Sequence, residues 1–281
     1  MFHVKQNKKN LHCETQDYLV TGEVFQVYLD EKKIIGKTIP VPKKEEMYKY
    51  YDSNQYLPHF SNKNNLMAIL YSMAKKYMHR KKLGWMRRHL KHNSSVLDYG
   101  CGTGDFVRYL RAKSIKAYGY DPNIKFNSSD SVFLTNDPTW GKNKYDIIFL
   151  WHVLEHTHNP FVLFQSLKKS LNKNGKIFIA IPNFKSFDSK YYRKYWAGYD
   201  LPRHIWHFSR KSIYKIAKQN NFKIHKEKKL ILDAIFVSFL SEKHKSSFFP
   251  LLQGLIIGAI SIFLSFFTKE SSSFLFVFNK R

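Results

Sequence analysis

With 281 residues, the chain is long enough for one sizeable domain plus an appendage, or for two small domains, and it can bury a real core. Its two cysteines, Cys13 and Cys101, exclude a disulfide framework, and neither has a partner at metal-ligand spacing, so a reducing compartment and no metal site are expected. A formal charge of +26, from 47 Lys plus Arg against 21 Asp plus Glu, favours polyanions in general, but the lysines are spread along the whole chain and asparagine is frequent, a bias that an AT-rich genome produces by itself.

The opening "MFHVKQNKKN" is polar and charged where an export signal carries an apolar core, so a cytoplasmic protein is expected, with membrane association as the alternative. Strand-like runs follow between 18 and 41, "YLVTGEVFQVYL" and "KIIGKTIPV", broken by glycine and proline as in a small β meander. A linker with aromatic anchors comes next, including Tyr50, Tyr51 and Tyr56, which either gate a pocket or pack on the domain. Leu66, Ile69, Leu70, Met73 and Tyr77 recur at the spacing of one helical face. The basic cluster "KKYMHRKKLGWMRRHLKH", residues 75–92, reads first as a solvated surface and second as a polyanion or lipid contact.

Short apolar runs then alternate with helical patterns: "SVLDYG", "FVRYLRAK", "AYGYD", "YDIIFLW", "PFVLFQSLKKSLN" and "GKIFIAIP". Strands rich in Ile, Val and Phe without polar alternation are buried on both faces, which predicts a parallel sheet covered by helices, an α/β domain. The helix over 159–172 is expected to stop at Gly175 in a left-handed turn. "FKIHKEKKLIL" and the terminal "SFLFVFNK" read as two more strands, separated by the uncharged stretch 248–267. That stretch is long enough to span a bilayer, but a further strand follows it. Burial in the fold or between two subunits is therefore expected ahead of membrane contact, and membrane contact ahead of a true span.

"LDYGCGTGDF", residues 97–106, places Gly100, Gly102 and Gly104 at alternate positions where a strand hands over to a helix. The dinucleotide register fails, because its third glycine falls on Asp105 or Val107, and the Lys-Ser/Thr of a phosphate loop is missing. Bare backbone at such a turn still implies a ligand close to main-chain amides. Asp121 ends the next predicted strand about 20 residues on, where an acidic side chain accepts from a ribose diol.

The D-x-G-x-G-x-G loop from Asp98 to Gly104, the acidic strand end at Asp121 and the block "YDIIFLWHVLEH" resemble the class I S-adenosylmethionine-dependent methyltransferases, in particular the UbiG/UbiE-like branch, over roughly residues 64–232 and again at the last strand. The resemblance implies a Rossmann-like, mostly parallel sheet with an antiparallel last strand, a small N-terminal β appendage over 1–60, a methyltransferase domain over 61–281 and an apolar helical insertion at about 233–270. It implies S-adenosyl-L-methionine as cofactor. The backbone of Gly100, Cys101, Gly102, Thr103 and Gly104 would wrap its methionine part, with Asp98 orienting the loop or the amino group and Asp121 holding the ribose. Asn136, Asp137, Trp151 and His152 would close the adenine side.

Methyl transfer needs chiefly alignment, and a base only for an acceptor of high pKa. The histidines placed for that task are His152 and His156 after the fourth strand and His204 and His207 in "DLPRHIWHFS", where Arg203 is available to pair with an acidic acceptor. Glu155 is placed to cap the next helix, hold a histidine or act on substrate. The expected reaction is methylation of O, N or C of a small-molecule or lipid-linked acceptor, with peripheral membrane contact or a homodimer through 248–267. Nucleic acid is not the expected partner. The alternatives are an RNA methyltransferase and a non-catalytic protein that binds the cofactor.

Overall fold

A computed structural model describes residues 4–51, 66–122, 130–131 and 133–281. Tyr56, the end of the aromatic linker and most of "DPNIKFNSSD" lie outside the described residues, as do the side chains of Leu66, Ile69 and Leu70.

The chain runs through strands β1 (Leu11–Gln16), β2 (Val24–Leu29) and β3 (Ile35–Ile39) into helix α1 (Leu66–Met86), then β4 (Ser95–Tyr99), α2 (Asp105–Arg111), β5 (Lys116–Tyr120), β6 (Leu134–Thr135), β7 (Tyr145–Trp151), α3 (Pro160–Ser170) and β8 (Leu171–Pro182). It continues with α4 (Phe187–Tyr192), β9 (Trp206–Phe208), α5 (Arg210–Gln219), β10 (Phe222–Lys229), α6 (Ile231–His244), α7 (Pro250–Thr268) and β11 (Ser273–Lys280).

The larger sheet has the order β10-β11-β8-β7-β4-β5-β6. β4 pairs in parallel with β5 and β7, as do β5 with β6 and β7 with β8, while β11 runs antiparallel between β8 and β10. This is the mostly parallel, Rossmann-like sheet with an antiparallel last strand that the sequence predicts. Its inner strands are buried on both faces: Ile148, Leu150, Ile177 and Ile179 pack towards α3 and α5, and Ile147, Phe149 and Phe178 towards α2 and the end of α1. The order reverses at β4, whose neighbours connect to opposite sides, the switch point at whose carboxyl end ligands of open α/β sheets bind.

A second sheet, β1-β2-β3-β9, takes its last strand from residues 206–208. Its inner residues Phe25, Val27 and Leu29 pack against Phe184, Tyr192, Trp196 and Tyr199. The sheet is fastened by Arg203, which is 1% exposed and donates to Asp17 at 2.9 Å, to Asp200 at 2.7 Å and to the carbonyl of Tyr50 at 2.7 Å.

Three local expectations need correction. Met73 and Tyr77 are exposed, and α1 instead turns Lys82 and Met86 inward, with Trp85 partly buried. α3 ends at Ser170, and Gly175 lies inside β8 without a left-handed conformation. The register with β7 shifts between Tyr145 and Ile147, so "NKNG" is absorbed as a bulge, and a Cβ on Gly175 would lie 2.7 Å from Leu171 and 3.0 Å from the carbonyl of Asp146. Finally, α7 is not buried within the chain: its inward residues are Gly254, Gly258, Ser261 and Ser265, and its large apolar side chains face outward.

Candidate active site

The glycine loop sits above the carboxyl end of β4, at the sheet's switch point. Gly100, Gly102 and Gly104 all have positive φ, at 77°, 53° and 79°. Two of them are also sterically confined: a Cβ would lie 2.4 Å from Val153 at Gly100 and 2.7 Å from Leu134 at Gly104. The amides of Gly100 and Cys101 donate to the carbonyl of Tyr120 at 2.7 and 3.1 Å, which ties the loop to β5. The amide of Gly102 donates to the Asp121 carboxylate at 3.1 Å. Thr103 donates to Asp105 at 2.8 Å, and Arg108 donates to the Thr103 carbonyl at 2.7 Å, so the far side of the loop is held from α2.

Asp98 is buried beneath this loop. Burial pushes its carboxyl up to about 6 against the pull of Lys82, and burial brings Lys82 down to about 8 against the pull of Asp98 and Asp233. Lys82 lies 4.3 Å from the ring centre of Trp151, which stacks on Trp85 with centroids 5.9 Å apart. Asn136 and Asp137 are exposed just after β6, at the edge of the sheet. Gly119, which the sequence reading did not single out, is needed beneath the loop: a Cβ there would lie 2.7 Å from Leu134 and 2.8 Å from the Cys101 sulfur.

After β7 the chain brings a histidine cluster together. His152 holds Glu155 through Nδ1 and Asp233 through Nε2, each at 3.2 Å. Burial opposes its charge, but the hydrogen bonds and charges of Asp233 and Glu155 outweigh that and raise His152 to about 10. It is therefore an imidazolium with both nitrogens engaged. Glu155, 1% exposed, is held as a carboxylate, its burial offset by His152 and then by His204 and His156; its second oxygen, Oε2, has no hydrogen-bond partner among the described residues. Asp233 comes from the first turn of α6, and no local sequence signal links it to a histidine 81 residues away.

His156 and His204 meet edge to face with centroids 4.5 Å apart. His156 Nδ1 lies 3.0 Å from the Arg203 carbonyl and 3.2 Å from the Tyr51 hydroxyl, and His204 Nδ1 lies 3.0 Å from the Gly198 carbonyl. Carbonyls only accept, so both rings carry hydrogen at Nδ1 towards them. Burial, reinforced by His204, lowers His156 to about 4, leaving it neutral at physiological pH with a lone pair on Nε2. His204 Nε2 faces Glu155 at 4.0 Å and Asp200 at 3.8 Å. Glu155, His156 and His204 each offer a ligand atom within 4.8 Å of the others, a donor set able to hold a divalent ion. The expectation of no metal site rested on cysteine spacing, which is blind to residues that only the fold brings together.

Two sequence candidates fall elsewhere. His207 is in β9 of the smaller sheet, with Nε2 2.9 Å from Thr38 Oγ1, and burial drives its pKa well down. Arg203 is 1% exposed and held by Asp17, Asp200 and the carbonyl of Tyr50, so it is committed to the fold and does not face an acidic acceptor. Tyr50 is buried and donates to Glu23 at 2.8 Å, whereas Tyr51 reaches the cluster through His156.

The family model described as "Methyltransferase domain" matches residues 69–227, more than half of the chain. The chain belongs to this family of S-adenosylmethionine-dependent methyltransferases. A tRNA U34 carboxymethyltransferase of Campylobacter lari is 32% identical over 101 residues, 30% of this chain and 34% of that protein. One of Nautilia profundicola is 30% identical over 102 residues, 31% of this chain and 34% of that protein. The chain thus spans about a third of the length of these relatives. Among solved structures, it is similar to a phosphoethanolamine N-methyltransferase 2 of Haemonchus contortus, with 17% identity, TM-score 0.47, and coverage of 72% of this chain and 52% of that one. An O-methyltransferase from a Brevibacillus brevis trans-AT polyketide multienzyme gives 16% identity, TM-score 0.47, and coverage of 87% and 82%.

Proposed function

We propose that this methyltransferase binds S-adenosylmethionine over Gly100–Gly104 and Asp121 and methylates a small-molecule or lipid-linked acceptor seated between Trp151 and the His156–His204 pair. The observation that carries the reading is the Gly102–Asp121 hydrogen bond: it sets the bare backbone of the loop beside a carboxylate, the combination that suits an amino-acid sulfonium bearing a ribose. Asp98 and the clamps on Thr103 fix the loop, while Asn136 and Asp137 flank the adenine side.

The cofactor supplies an electrophilic methyl on a positively charged sulfur; the chain supplies alignment and charge placement. With both ring nitrogens engaged, His152 serves as a strut between Glu155 and Asp233. Neutral His156 offers its Nε2 lone pair to orient a hydroxyl or amine acceptor by accepting its hydrogen bond; held at about 4, it is too weak a base to remove the proton before the methyl is transferred. His204 and Glu155 set its position, and His207 braces the smaller sheet behind them. The exposed apolar face of α6 and α7 favours an acceptor with a lipid portion.

A second reading, an RNA acceptor, is favoured by the printed activity of the partial relatives and by the exposed basic residues Lys76, Arg80, Lys81, Arg87 and Arg88 at the end of α1 and just beyond. Incubation with methyl-tritiated S-adenosylmethionine and either a total lipid extract or bulk tRNA separates the two. Label in the organic phase supports the lipid-linked acceptor; label confined to the tRNA replaces it with the RNA reading.

A further inference from the structure

Helix α7 is mounted inside out. Its buried residues, Gly254, Gly258, Ser261 and Ser265, form one stripe of small side chains at helical spacing. The stripe is locked in place. A Cβ on Gly254 would lie 2.6 Å from the Cα of Phe239, and one on Gly258 would lie 2.7 Å from the Cα of Ile235, so the two helices touch backbone to backbone and α7 cannot roll. Ser261 donates at 2.7 Å to Asp188, a fully buried carboxylate that also accepts from Trp196 and Ser272 at 2.8 Å each.

The opposite face is the apolar one. Phe248 is 96% exposed, Phe267 70%, Phe263 62% and Leu252 59%, and Phe236 of α6 extends the same surface. A soluble helix places these side chains inward; here hydrogen bonds and steric contact hold them in solvent, which marks a surface built for an apolar partner. The helix is long and apolar enough to cross a bilayer, and about 22% of it is buried in the fold. A crossing is excluded by its ends: α6 leads in from the sheet, and β11 returns directly to pair with β8 and β10.

Charge identifies the partner. Lys243, Lys245 and Lys269 rim this face; of the carboxylates beside them, Glu242 is buried and lies 3.7 Å from Lys245, and Glu270 accepts from Asn183, so the exposed charge at the rim is positive. Lys229 adds a further cation, 4.8 Å from the ring centre of Phe266. In a symmetric dimer through this face, two lysine rims on chains of +26 each would oppose one another. An anionic bilayer meets both needs, taking the phenylalanines into the acyl boundary and the lysines among the phosphates. We propose that the α6–α7 hairpin docks the protein on the surface of an anionic lipid membrane, lying in the interface without crossing it. The hairpin is wired to the active site through Asp233 and His152, so docking places the proposed acceptor side at the lipid. Docking deepens the lipid-linked reading above, but its test is independent of the cofactor.

The test is co-sedimentation of the full chain with vesicles of phosphatidylglycerol and phosphatidylcholine, against vesicles of phosphatidylcholine alone, at about 0.1 M salt. Binding is expected to the anionic vesicles, weakened about tenfold or more by Phe263→Asp with Phe267→Asp and by Lys243→Glu with Lys269→Glu. These side chains are exposed, so each variant should keep the wild-type circular dichroism spectrum and melting temperature. Protein left in the supernatant with both vesicle types overturns the proposal. So does a stable dimer in analytical ultracentrifugation that the phenylalanine substitutions dissociate, since a second copy would then be the occupant. Cofactor titration reads cofactor binding separately, so failure of docking and failure of the cofactor site are distinguishable.

Discussion

The amide of Gly102 donates a hydrogen bond to the carboxylate of Asp121 at 3.1 Å, joining the two motifs from which the cofactor site is inferred. They are 19 residues apart in sequence, and parallel pairing of β4 with β5, Tyr99 opposite Tyr120, brings their ends together. Asp121 is thereby already oriented towards the loop over which the ribose is proposed to lie.

The loop is expected to tolerate no side chain at Gly104. Its φ of 79° disfavours any L-residue by about 1–2 kcal/mol, and Leu134 stands 2.7 Å from where a Cβ would be. Gly104→Ala should therefore lower unfolding stability by roughly 2–4 kcal/mol in urea titration. An unchanged urea midpoint would mean that the loop can adopt another shape.

Arg203 should be worth more than its sequence position suggests. Removing one partner of a buried ion pair costs about 3–5 kcal/mol, so Arg203→Met, which strands Asp17 and Asp200, is expected to destabilise by that order. The pH dependence follows from the carboxylates. Burial opposes ionisation of Asp200, but Arg203 and then His204 bring it down to about 2. A carboxyl depressed in the folded state adds stability above its ordinary value, lost as pH falls through the folded one. Wild-type stability should thus fall between about pH 4 and pH 2 by roughly 2 kcal/mol from this group, and the fall should shrink in the Met variant. Parallel acid-denaturation curves for the two proteins would contradict this.

For His152 the sign is reversed. Its raised pKa means that the bridge to Glu155 and Asp233 adds stability fully below the ordinary imidazole range, lost as pH rises through about 10. Asp233→Asn removes one anion, so the titration midpoint of His152 followed by NMR should move down. A midpoint left in place would show that Glu155 alone holds the proton.

Much of this architecture was legible because burial on both faces writes continuous apolar runs: "YDIIFLW" became β7 over Tyr145–Trp151, and "SFLFVFNK" became β11 over Ser273–Lys280. The glycine register was legible because a turn of positive φ admits few residues. β1 escaped notice because "LHCETQ" is mostly exposed and carries little apolar signal. Pairing of β3 with residues 206–208 escaped notice because nothing local marks a contact about 170 residues long in sequence. Assembly of His156, His204 and Glu155, and of His152 with Asp233, depends on helix and loop placement that periodicity does not encode. For α7 the composition was clear but its orientation was not: small residues at 254, 258, 261 and 265 match either a tight helix contact or a helix spanning lipid.

The most direct test of the central claim is calorimetric titration of the full chain with S-adenosylhomocysteine, beside Asp121→Ala and with NADH as control. The site described here predicts binding on the order of micromolar, about 8 kcal/mol, weakened at least about tenfold in the variant, with no heat from NADH. No binding of S-adenosylhomocysteine, or equal affinity in wild type and Asp121→Ala, would contradict the assignment of Gly100–Gly104 and Asp121 as the cofactor site.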